Sequence, residues 1–318
     1  MADKVLVTRE IPEAGLRPLE AFDVTVLSEA PPERGDLLEA ARGAEGVLST
    51  VTEKIDGEFM DAAGGGLKVV ANMAVGYDNV DVQAANERGI VVTNTPGVLD
   101  ETTADVAFML LLAAARRLGE SERVLRAGKW DWWGPKLFMG PDVWGKKLGI
   151  VGLGRIGQAV ARRAKGFDME IVYHNRSRKQ EAEEELGAGY LDLDDLLESA
   201  DFVSIHTPLT DETHHLIGAK ELDRMKPEAV LVNTSRGPVV DEAALAEALA
   251  DRSIFAAGLD VYEEEPKVNP KLLQLENVVL APHIGSGSIE TRDKMAILAA
   301  ENLAAVLRGE KPETPVNA

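Results

Sequence analysis

The chain contains no cysteine, and this absence removes several kinds of chemistry at once. Disulfides, thiolate nucleophiles and cysteine-ligated zinc are all excluded. The five histidines include no pair at i and i+4, so a zinc site of the helical type is not predicted either. We therefore expect a protein with neither a metal centre nor a disulfide.

Positive charge is also scarce. Asp and Glu number 54 against 34 Lys and Arg, which gives a formal net charge of −20. A surface this acidic repels nucleic acid and anionic membranes, so neither is expected as a partner. A small anionic metabolite would be repelled as well. Any site for such an anion must therefore supply its own local positive groups.

Long hydrophobic segments are missing too. The longest apolar run covers residues 104–115 and is interrupted by Asp105, so it predicts a buried helix rather than a membrane span. The first residues, MADKVLVTRE, lack the apolar core of an export signal. Together with the absence of cysteine, these features predict a soluble protein of the cytoplasm.

Short apolar runs alternate with helical patterns along the chain, which is typical of βαβ units and parallel sheets. The strands predicted in the first part are residues 5–7, 24–27, 47–49, 69–73 and 90–92. Those predicted in the second part are residues 148–151, 170–173, 202–206, 229–233, 256–259 and 278–280. Helical patterns cover residues 12–21, 33–42, 82–88, 104–117 and 289–307. Residues 130–145, which hold all four tryptophans, are predicted to be irregular, and the tail from Gly309 to be frayed.

A glycine motif follows the first strand of the second part. Residues 148–151 lead into Gly152-Leu153-Gly154-Arg155-Ile156-Gly157, and a helical pattern continues from there. In dinucleotide-binding units the first glycine permits a tight turn, the second lets the pyrophosphate approach, and the third allows close packing of the helix. The strand before the motif and the helix after it are the context that it requires. We therefore predict a dinucleotide site here.

The end of the next strand distinguishes the two nicotinamide cofactors. NAD-binding proteins place a carboxylate there, which binds the ribose 2′-hydroxyl. This chain has Asn175-Arg176-Ser177-Arg178-Lys179 instead, with no carboxylate before Glu181. Because a guanidinium can bind a phosphate through two hydrogen bonds, Arg176 predicts a preference for NADPH, with NADH as the weaker alternative. For Arg178 and Lys179 a solvated basic loop remains an open explanation.

The position of the glycine motif predicts the domain organisation. A whole α/β unit precedes the motif and a single helix follows the last strand, so one domain is inserted into the other. We predict an α/β protein with two Rossmann-like parallel-sheet domains. Residues 1–98 and 288–318 would form a flavodoxin-like substrate-binding domain, and residues 99–287 an inserted dinucleotide-binding domain. Two chain crossings would make a hinge, with the active-site cleft between the domains.

Candidate catalytic side chains follow three of the later strands. Arg236 comes after residues 229–233, Glu265 after 256–259 and His283 after 278–280. Open α/β sheets bind their ligands at the C-terminal ends of strands. Reduction of a 2-keto acid needs a cation for the substrate, a proton donor and a group that keeps the donor protonated. The three residue types match these needs.

The chain resembles the D-isomer-specific 2-hydroxyacid dehydrogenase family along nearly its whole length. The spacing of Arg236, Glu265 and His283 is similar to that of the family's Arg/Glu/His set. Further similar segments are the glycine motif and residues 73–81, 93–97, 205–209 and 233–237. Within the family, the loop 175–177, the tryptophan-rich segment and residues 307–310 resemble the glyoxylate/hydroxypyruvate reductases. This implies reduction of glyoxylate, hydroxypyruvate or both to the 2-hydroxy acids.

The resemblance implies catalytic roles for the three matching residues. Arg236 would bind the substrate carboxylate and carbonyl. His283 would donate a proton during reduction. Glu265 would hydrogen-bond to His283 and keep it protonated near neutral pH.

The resemblance also implies binding residues. The backbone N–H groups of Val75 and Gly76 would bind the substrate carboxylate, and Asp260 would bind the nicotinamide amide. Trp133 would reach the active site of a neighbouring subunit, which implies a homodimer. The residues that would line the cofactor are Gly152, Leu153, Gly154, Arg155, Ile156, Gly157, Asn175, Arg176, Ser177, Thr207, Thr234, Ser235, Arg236, Asp260, His283, Gly285 and, with less support, Thr103.

Two other functions stay open. One is an NAD-dependent dehydrogenase of other specificity, such as the phosphoglycerate type, although an acidic residue would then be expected in place of Asn175. The other is a non-catalytic, dinucleotide-sensing corepressor on the same fold, which could retain all three catalytic residues. Turnover of glyoxylate would separate an enzyme from a corepressor.

Overall fold

The structure, a computed structural model, describes residues 2–317, and these form two compact units. One unit consists of the segments up to Leu99 and from Ser286 onward, and the other of Asp100–Gly285. The chain therefore passes from one unit to the other at Leu99–Asp100 and returns at Gly285–Ser286.

The first unit is built on a five-stranded parallel sheet in the order β2-β1-β3-β4-β5. Its strands are β1 (Lys4–Val7), β2 (Asp23–Val26), β3 (Gly46–Ser49), β4 (Val69–Asn72) and β5 (Val91–Thr93). Every residue of β3 and β4 is buried, as expected for inner strands with helices on both faces. Those helices are α1 (Arg34–Ala41), α2 (Gly57–Ala63), α3 (Val82–Glu87) and the C-terminal helix Ile289–Leu307.

The second unit contains a seven-stranded sheet in the order β12-β11-β10-β9-β6-β7-β8, and its strands are also parallel. The strands are β6 (Lys147–Val151), β7 (Glu170–His174), β8 (Gly189–Tyr190), β9 (Phe202–Ile205), β10 (Val230–Asn233), β11 (Ala256–Leu259) and β12 (Val278–Leu280). The strand order reverses between β6 and β9, which is where doubly wound sheets bind their ligands.

Helices cover both faces of the second sheet. They are α4 (Asp100–Ala115), α6 (Arg155–Lys165), α7 (Gln180–Leu186), α8 (Leu193–Ser199), α9 (Ala219–Arg224) and α10 (Glu242–Ala250). Helix α5 (Leu118–Arg126) follows α4 and has no buried residue. One face packs Leu110 of α4 and Val160 of α6 against Ile150, while the other packs Leu196 and Leu245 among buried strand residues. The predicted α/β class with two parallel sheets is confirmed. None of the described helices combines the length and hydrophobicity needed to cross a membrane.

The predicted helix over residues 12–21 is wrong. The structure has two short 3₁₀ helices there, Glu13–Gly15 and Arg17–Leu19. Pro18 has no backbone N–H, so a regular helical ladder cannot run through this segment. Gly15 also lies against the C-terminal helix, since a Cβ on it would come within 2.5 Å of the Ala296 methyl group. The segment is therefore shaped by its packing and not by helical periodicity.

The C-terminal tail is not frayed as predicted. Thr93 of β5 and Pro315 form an antiparallel bridge, and the Val316 N–H donates to the Val92 carbonyl at 2.8 Å. The Asn317 side chain accepts the Val92 N–H at 2.7 Å. The tail therefore pairs with the outer edge of β5, whose hydrogen-bonding groups would otherwise be exposed.

Candidate active site

The glycine motif forms a tight turn between β6 and α6. Gly152 has φ +102°, and a Cβ there would lie 2.7 Å from the carbonyl carbon of His206. A Cβ on Gly157 would lie 2.3 Å from the Gly152 carbonyl oxygen. Both glycines are therefore needed to bring the end of β9, the turn and the start of α6 together.

Gly154 differs from the other two glycines of the motif because it faces open space. It is the N-cap of α6, no side chain caps the helix there, and a Cβ on it would have no heavy atom within 4 Å. The free N–H groups and positive dipole end of α6 therefore border a surface that a phosphate can approach closely.

Two buried threonine hydroxyls lie after neighbouring strands of the same sheet. Thr207 follows β9 and Thr234 follows β10, and neither Oγ1 has a hydrogen-bond partner within residues 2–317. A buried hydroxyl without a partner costs free energy, so such groups usually face a ligand or water. Together with the open space at Gly154, these hydroxyls show that the residues present fit a bound dinucleotide.

The loop after β7 is held by Asn175. Its side-chain oxygen accepts the Leu153 N–H at 2.7 Å, which leaves its amide nitrogen as the donor of the side chain. Arg178 is exposed but paired with Glu183 through hydrogen bonds of 3.0 and 2.6 Å, and it lowers the Glu183 pKa to about 2 together with the Tyr173 hydroxyl. Arg176 and Ser177 are also exposed. The loop therefore presents Arg176 as an exposed cation, whereas Arg178 is held by Glu183.

His283 and Glu265 form a hydrogen-bonded pair. The His283 Nδ1 lies 2.7 Å from Glu265 Oε2, and the other carboxylate oxygen accepts the Tyr262 N–H at 3.0 Å. Both side chains are partly exposed, at 33% and 29%. Because Nδ1 is engaged by the carboxylate, Nε2 is the ring nitrogen that can face a substrate.

The charge of Glu265 is favoured by its neighbours. Partial burial acts to raise the pKa of this carboxyl, but the hydrogen bond to His283, the Tyr262 N–H and the positive charge of Arg236 hold it below its ordinary value. Glu265 is therefore ionised at neutral pH, and an anion beside Nδ1 stabilises a positive imidazole ring.

Asp260 holds the turn that carries His283. Its carboxylate oxygens accept the N–H groups of Ile284 and Gly285, each at 2.7 Å, and its carbonyl accepts the His283 N–H at 2.9 Å. Asp260 is fully buried, and burial raises its pKa against the opposing effect of these N–H groups. His283 itself has φ +54°, an unusual conformation for a histidine. Asp260 thus stabilises the backbone geometry on which the imidazole position depends.

Thr103 lies beside the same turn. It is buried at 5% exposure, and a Cβ on Gly285 would come 3.3 Å from its methyl carbon. The N-terminal part of α4 therefore packs on the His283–Gly285 turn.

Arg236 projects from a turn that Asn233 organises. The Asn233 side chain accepts from the N–H and hydroxyl of Ser235 at 3.0 and 2.9 Å, and donates to the Arg236 carbonyl at 2.9 Å. A Cβ on Gly237 would lie 1.9 Å from the Tyr262 carbonyl carbon. The turn of Arg236 therefore packs directly on the backbone that leads to Glu265. Sequence reasoning assigned no function to Asn233 and Gly237, although both lie in a segment that it recognised.

The first unit presents a second candidate site, the loop at Val75–Gly76. The Val75 carbonyl accepts from Asn94 Nδ2 at 2.8 Å, and the Gly76 carbonyl accepts from Asn72 Nδ2 at 2.9 Å. Neither residue's N–H donates a hydrogen bond to another described residue. The loop therefore has its carbonyl oxygens fastened while two adjacent N–H groups stay available to an anion. Sequence reasoning did not identify Asn72 and Asn94.

The tryptophan-rich segment is exposed. Trp133 is 76% exposed, and Trp130, Trp132 and Trp144 are exposed as well. Met139 in the same segment is also exposed, as are Met109, Leu118 and Leu125 earlier in the chain. Exposed large apolar side chains of this kind are typical of interaction surfaces, so the segment is a candidate for one.

The chain is similar to known dehydrogenases. Residues 108–285 match the family described as D-isomer specific 2-hydroxyacid dehydrogenase, NAD binding domain. The chain is 54% identical over 323 residues to a glyoxylate reductase of Thermococcus litoralis, a match that covers 100% of this chain and 97% of the relative.

Solved structures are similar over the full length. A crystal structure of a protein from Thermus thermophilus has a TM-score of 0.93 at 49% identity, covering 98% of this chain and 99% of the other. An NADPH-dependent glyoxylate/hydroxypyruvate reductase from Sinorhizobium meliloti, solved with NADP and malonate, has a TM-score of 0.88 at 39% identity and covers 99% and 97%. The chain therefore belongs to the D-isomer specific 2-hydroxyacid dehydrogenase family and is an oxidoreductase that uses a nicotinamide dinucleotide.

Proposed function

We propose that this protein reduces glyoxylate to glycolate, and hydroxypyruvate to D-glycerate, with NADPH as the preferred reductant. The observation that carries the proposal is the His283–Glu265 pair at 2.7 Å, with the charge of Arg236 beside it. A proton donor backed by a carboxylate and accompanied by a guanidinium is the set of groups that reduction of a 2-keto acid requires. Glyoxylate reductase is also the name of the Thermococcus litoralis relative.

The residues divide the chemistry between them. The bound nicotinamide would supply a hydride to the substrate carbonyl carbon. Arg236 would bind the keto acid through its planar guanidinium and stabilise the negative charge that develops on the carbonyl oxygen. His283 would give its Nε2 proton to that oxygen, which completes the hydroxyl group. Glu265 would stabilise the positive ring before the transfer and keep it oriented.

Proton donation by His283 is tested by His283→Asn. We expect kcat for glyoxylate reduction to fall about 10²–10⁴-fold, because that is the usual contribution of a positioned general acid. The dissociation constant for NADPH should stay close to that of the wild type. His214→Asn is the matched control, since His214 is an exposed histidine of the same unit. A wild type that binds NADPH but turns over neither keto acid would favour the corepressor instead, and unchanged turnover of His283→Asn would remove His283 from the mechanism.

The cofactor preference rests on the loop after β7. Asn175 uses its side-chain oxygen on the Leu153 N–H, so it would present a donor to the adenosine ribose. Arg176 is exposed beside it and would bind the 2′-phosphate. Gly152–Gly157 and the start of α6 would hold the pyrophosphate, while Thr207 and Thr234 would place their buried hydroxyls against the cofactor.

The double substitution Asn175→Asp with Arg176→Ala tests this preference. A carboxylate repels a 2′-phosphate and binds a 2′-hydroxyl, so the ratio of kcat/KM for NADPH over NADH should fall by about 10–100-fold. Arg178→Ala is the matched control, because Arg178 is bound to Glu183 and should not affect the ratio. A wild-type enzyme that already favours NADH would contradict the assignment of Arg176.

Two further parts of the molecule would complete the function. The free N–H groups of Val75 and Gly76 would bind the substrate carboxylate.

The exposed apolar surface that includes Trp133 would form the interface of a homodimer, in which Trp133 reaches the partner's active site. Sedimentation of the wild type and of Trp133→Ser measures this assembly, and a monomeric wild type would contradict it.

A further inference from the structure

We propose that the C-terminal tail is a positioning element for substrate binding, and that Thr314 acts through Asn94 on the Val75–Gly76 loop. The inference rests on the proposed function of that loop as the site for the substrate carboxylate.

Asn94 is the link between the loop and the tail. Its side-chain amide donates to the Val75 carbonyl at 2.8 Å. Its backbone is held on both sides by Thr314, because the Asn94 carbonyl accepts the Thr314 hydroxyl at 2.6 Å and the Asn94 N–H donates to the Thr314 carbonyl at 3.3 Å. The orientation of the amide toward Val75 therefore depends on a residue 220 positions later in the chain.

Thr314 is itself held by a buried residue of the C-terminal helix. Asn302 is 1% exposed, and its side-chain oxygen accepts the N–H groups of Glu313 and Thr314 at 2.7 and 3.2 Å. Its amide nitrogen donates to the Thr314 hydroxyl at 2.8 Å. The oxygen and the nitrogen of the Asn302 side chain therefore both bind the tail. Because Asn302 is buried, these bonds anchor the tail to the core of the unit.

The consequence for binding follows from how the loop is built. Two adjacent N–H groups bind a carboxylate well only if the peptide units that carry them keep a fixed orientation. The Val75 carbonyl shares its peptide unit with the Gly76 N–H, so the hydrogen bond from Asn94 fixes the orientation of that N–H. The Val75 N–H belongs to the preceding peptide unit, whose Ala74 carbonyl accepts the Thr95 N–H at 2.8 Å. Loss of the Thr314 hydroxyl would remove the hydrogen bond that the Asn94 carbonyl accepts, and so would loosen the peptide unit between Val75 and Gly76. All residues in this series of contacts belong to the first unit.

The test uses Thr314→Val and Asn94→Ala, singly and together, and the kinetics are measured at a concentration of NADPH that saturates the wild type. Valine keeps the shape of threonine and the backbone pairing but removes both hydroxyl hydrogen bonds. We expect each single variant to raise KM for glyoxylate about three- to tenfold with kcat nearly unchanged, which is the effect of lost binding common to ground and transition states. The double variant should be no worse than Asn94→Ala alone, because both changes act through one contact.

Asn317→Ala is the matched control. Asn317 also ties the tail to the sheet, through the Val92 N–H and the Ile90 carbonyl, but it does not contact Asn94. It should lower the melting temperature about as much as Thr314→Val while leaving KM unchanged. NADPH dissociation constants should be the same in all variants.

The outcomes separate this inference from the function on which it rests. If Asn94→Ala raises KM and Thr314→Val does not, the tail has no positioning role. If Asn317→Ala raises KM as much as Thr314→Val, general loosening explains the effect and the inference is wrong. If neither Asn94→Ala nor Thr314→Val affects KM while the wild type reduces glyoxylate, the inference is wrong and the Val75–Gly76 loop is not the carboxylate site, although the reductase function stands. If the wild type does not reduce glyoxylate, the proposed function itself fails.

Discussion

His283, the proposed proton donor, is held by a short series of contacts within one unit. Glu265 reaches Nδ1 of His283, Asp260 holds the N–H groups of the same turn, and the charge of Arg236 acts on Glu265. The two acids have different roles. Asp260 fixes the backbone of the turn, and Glu265 places a negative charge beside the imidazole ring. Substitution of the two acids should therefore have different consequences, with loss of geometry in one case and a changed proton affinity in the other.

Glu265→Gln should change the pH dependence of glyoxylate reduction without abolishing it. Glutamine still accepts a hydrogen bond from Nδ1, but it removes the negative charge that favours the protonated ring. The alkaline limb of the kcat/KM profile for glyoxylate should therefore move toward lower pH. Glu264→Gln is the control, because Glu264 is the exposed neighbour. An alkaline limb that stays in place would contradict the assigned pairing.

His206 should make the fold sensitive to acid. Burial lowers its pKa to about 3, and its Nε2 lies 2.8 Å from the Ser204 hydroxyl. A histidine in the unfolded chain titrates near pH 6.5. Below that pH the unfolded state binds a proton that the folded state does not bind, and this difference favours unfolding. The stability that a neutral His206 contributes is present above about pH 6.5 and is lost as the pH falls toward 3. Urea unfolding at pH 7 and pH 5 should show a smaller loss for His206→Gln than for the wild type, and equal losses would contradict this view.

At the scale of elements, the sequence predicts best what is determined locally. The inner strands of the second sheet are continuous apolar runs, and β11 and β12 have the bounds that the sequence predicts. Helix α5 was not predicted, because its apolar residues Leu118 and Leu125 are exposed and it buries no face. The two-residue strand β8 is too short to leave a pattern.

The residues of the candidate site also fall into two groups, those that local sequence predicts and those that depend on distant contacts. Arg236, Glu265 and His283 belong to local segments with recognisable spacing, so the sequence alone can propose them. The residues that hold these segments in place act across long separations. Gly237 is constrained by Tyr262, and Asn94 by Thr314. No local sequence pattern indicates such contacts. The sequence therefore provides no reason to assign a role to Asn94 in the linker or to Thr314 in the proline-containing tail.

The glycines of the β6–α6 turn provide a prediction that separates folding from binding. Gly154→Ala adds a methyl group where nothing lies within 4 Å, at φ −80°, so stability should fall by about 1 kcal/mol or less. The methyl group would nevertheless lie where the pyrophosphate approaches, so the dissociation constant for NADPH should rise at least about tenfold.

Gly157→Ala should behave in the opposite way. Its Cβ would lie 2.3 Å from the Gly152 carbonyl oxygen, a backbone atom that cannot move without displacing the turn. We expect a loss of stability of about 1–3 kcal/mol or more, visible as a lower melting temperature before any cofactor is added. Thermal unfolding and fluorescence titration with NADPH on both variants measure the two effects. If Gly154→Ala unfolds the protein and Gly157→Ala does not, the assignment of the two glycines is wrong.

On the scale of the whole molecule, the negative charge is only partly compensated. Arg162 and Arg163 pair with Glu101, Arg163 also reaches Asp105, and Arg34 binds Asp56 and Glu58. Exposed pairs of this kind contribute little each, about 0–1 kcal/mol. With 54 acidic against 34 basic side chains, many carboxylates have no cation to pair with, so repulsion among them remains. Under the proposed function, Arg236 and Arg176 would supply the local positive charge that an anionic substrate and a 2′-phosphate need.

Salt should therefore stabilise this protein. A net charge of −20 destabilises the compact state through self-repulsion, and salt shortens the reach of that repulsion from about 10 Å at 0.1 M to about 3 Å at 1 M. Salt also weakens the surface ion pairs, but their small individual contributions make this the lesser effect. The melting temperature should rise by a few degrees between low salt and about 1 M NaCl, since about 1 kcal/mol corresponds to ~2–4 °C in domains of this size.

Charge removal distinguishes repulsion from a general effect of salt. Glu184 and Glu185 are exposed in the last turn of α7, where the helix dipole also disfavours a negative charge. Glu184→Gln with Glu185→Gln should raise the melting temperature at low salt and reduce its dependence on NaCl. Glu101→Gln is the contrasting variant, because Glu101 pairs with Arg162 and Arg163, and its loss should lower the melting temperature at low salt. A wild-type melting temperature that falls as NaCl is added would mean that the ion pairs outweigh the repulsion among unpaired carboxylates.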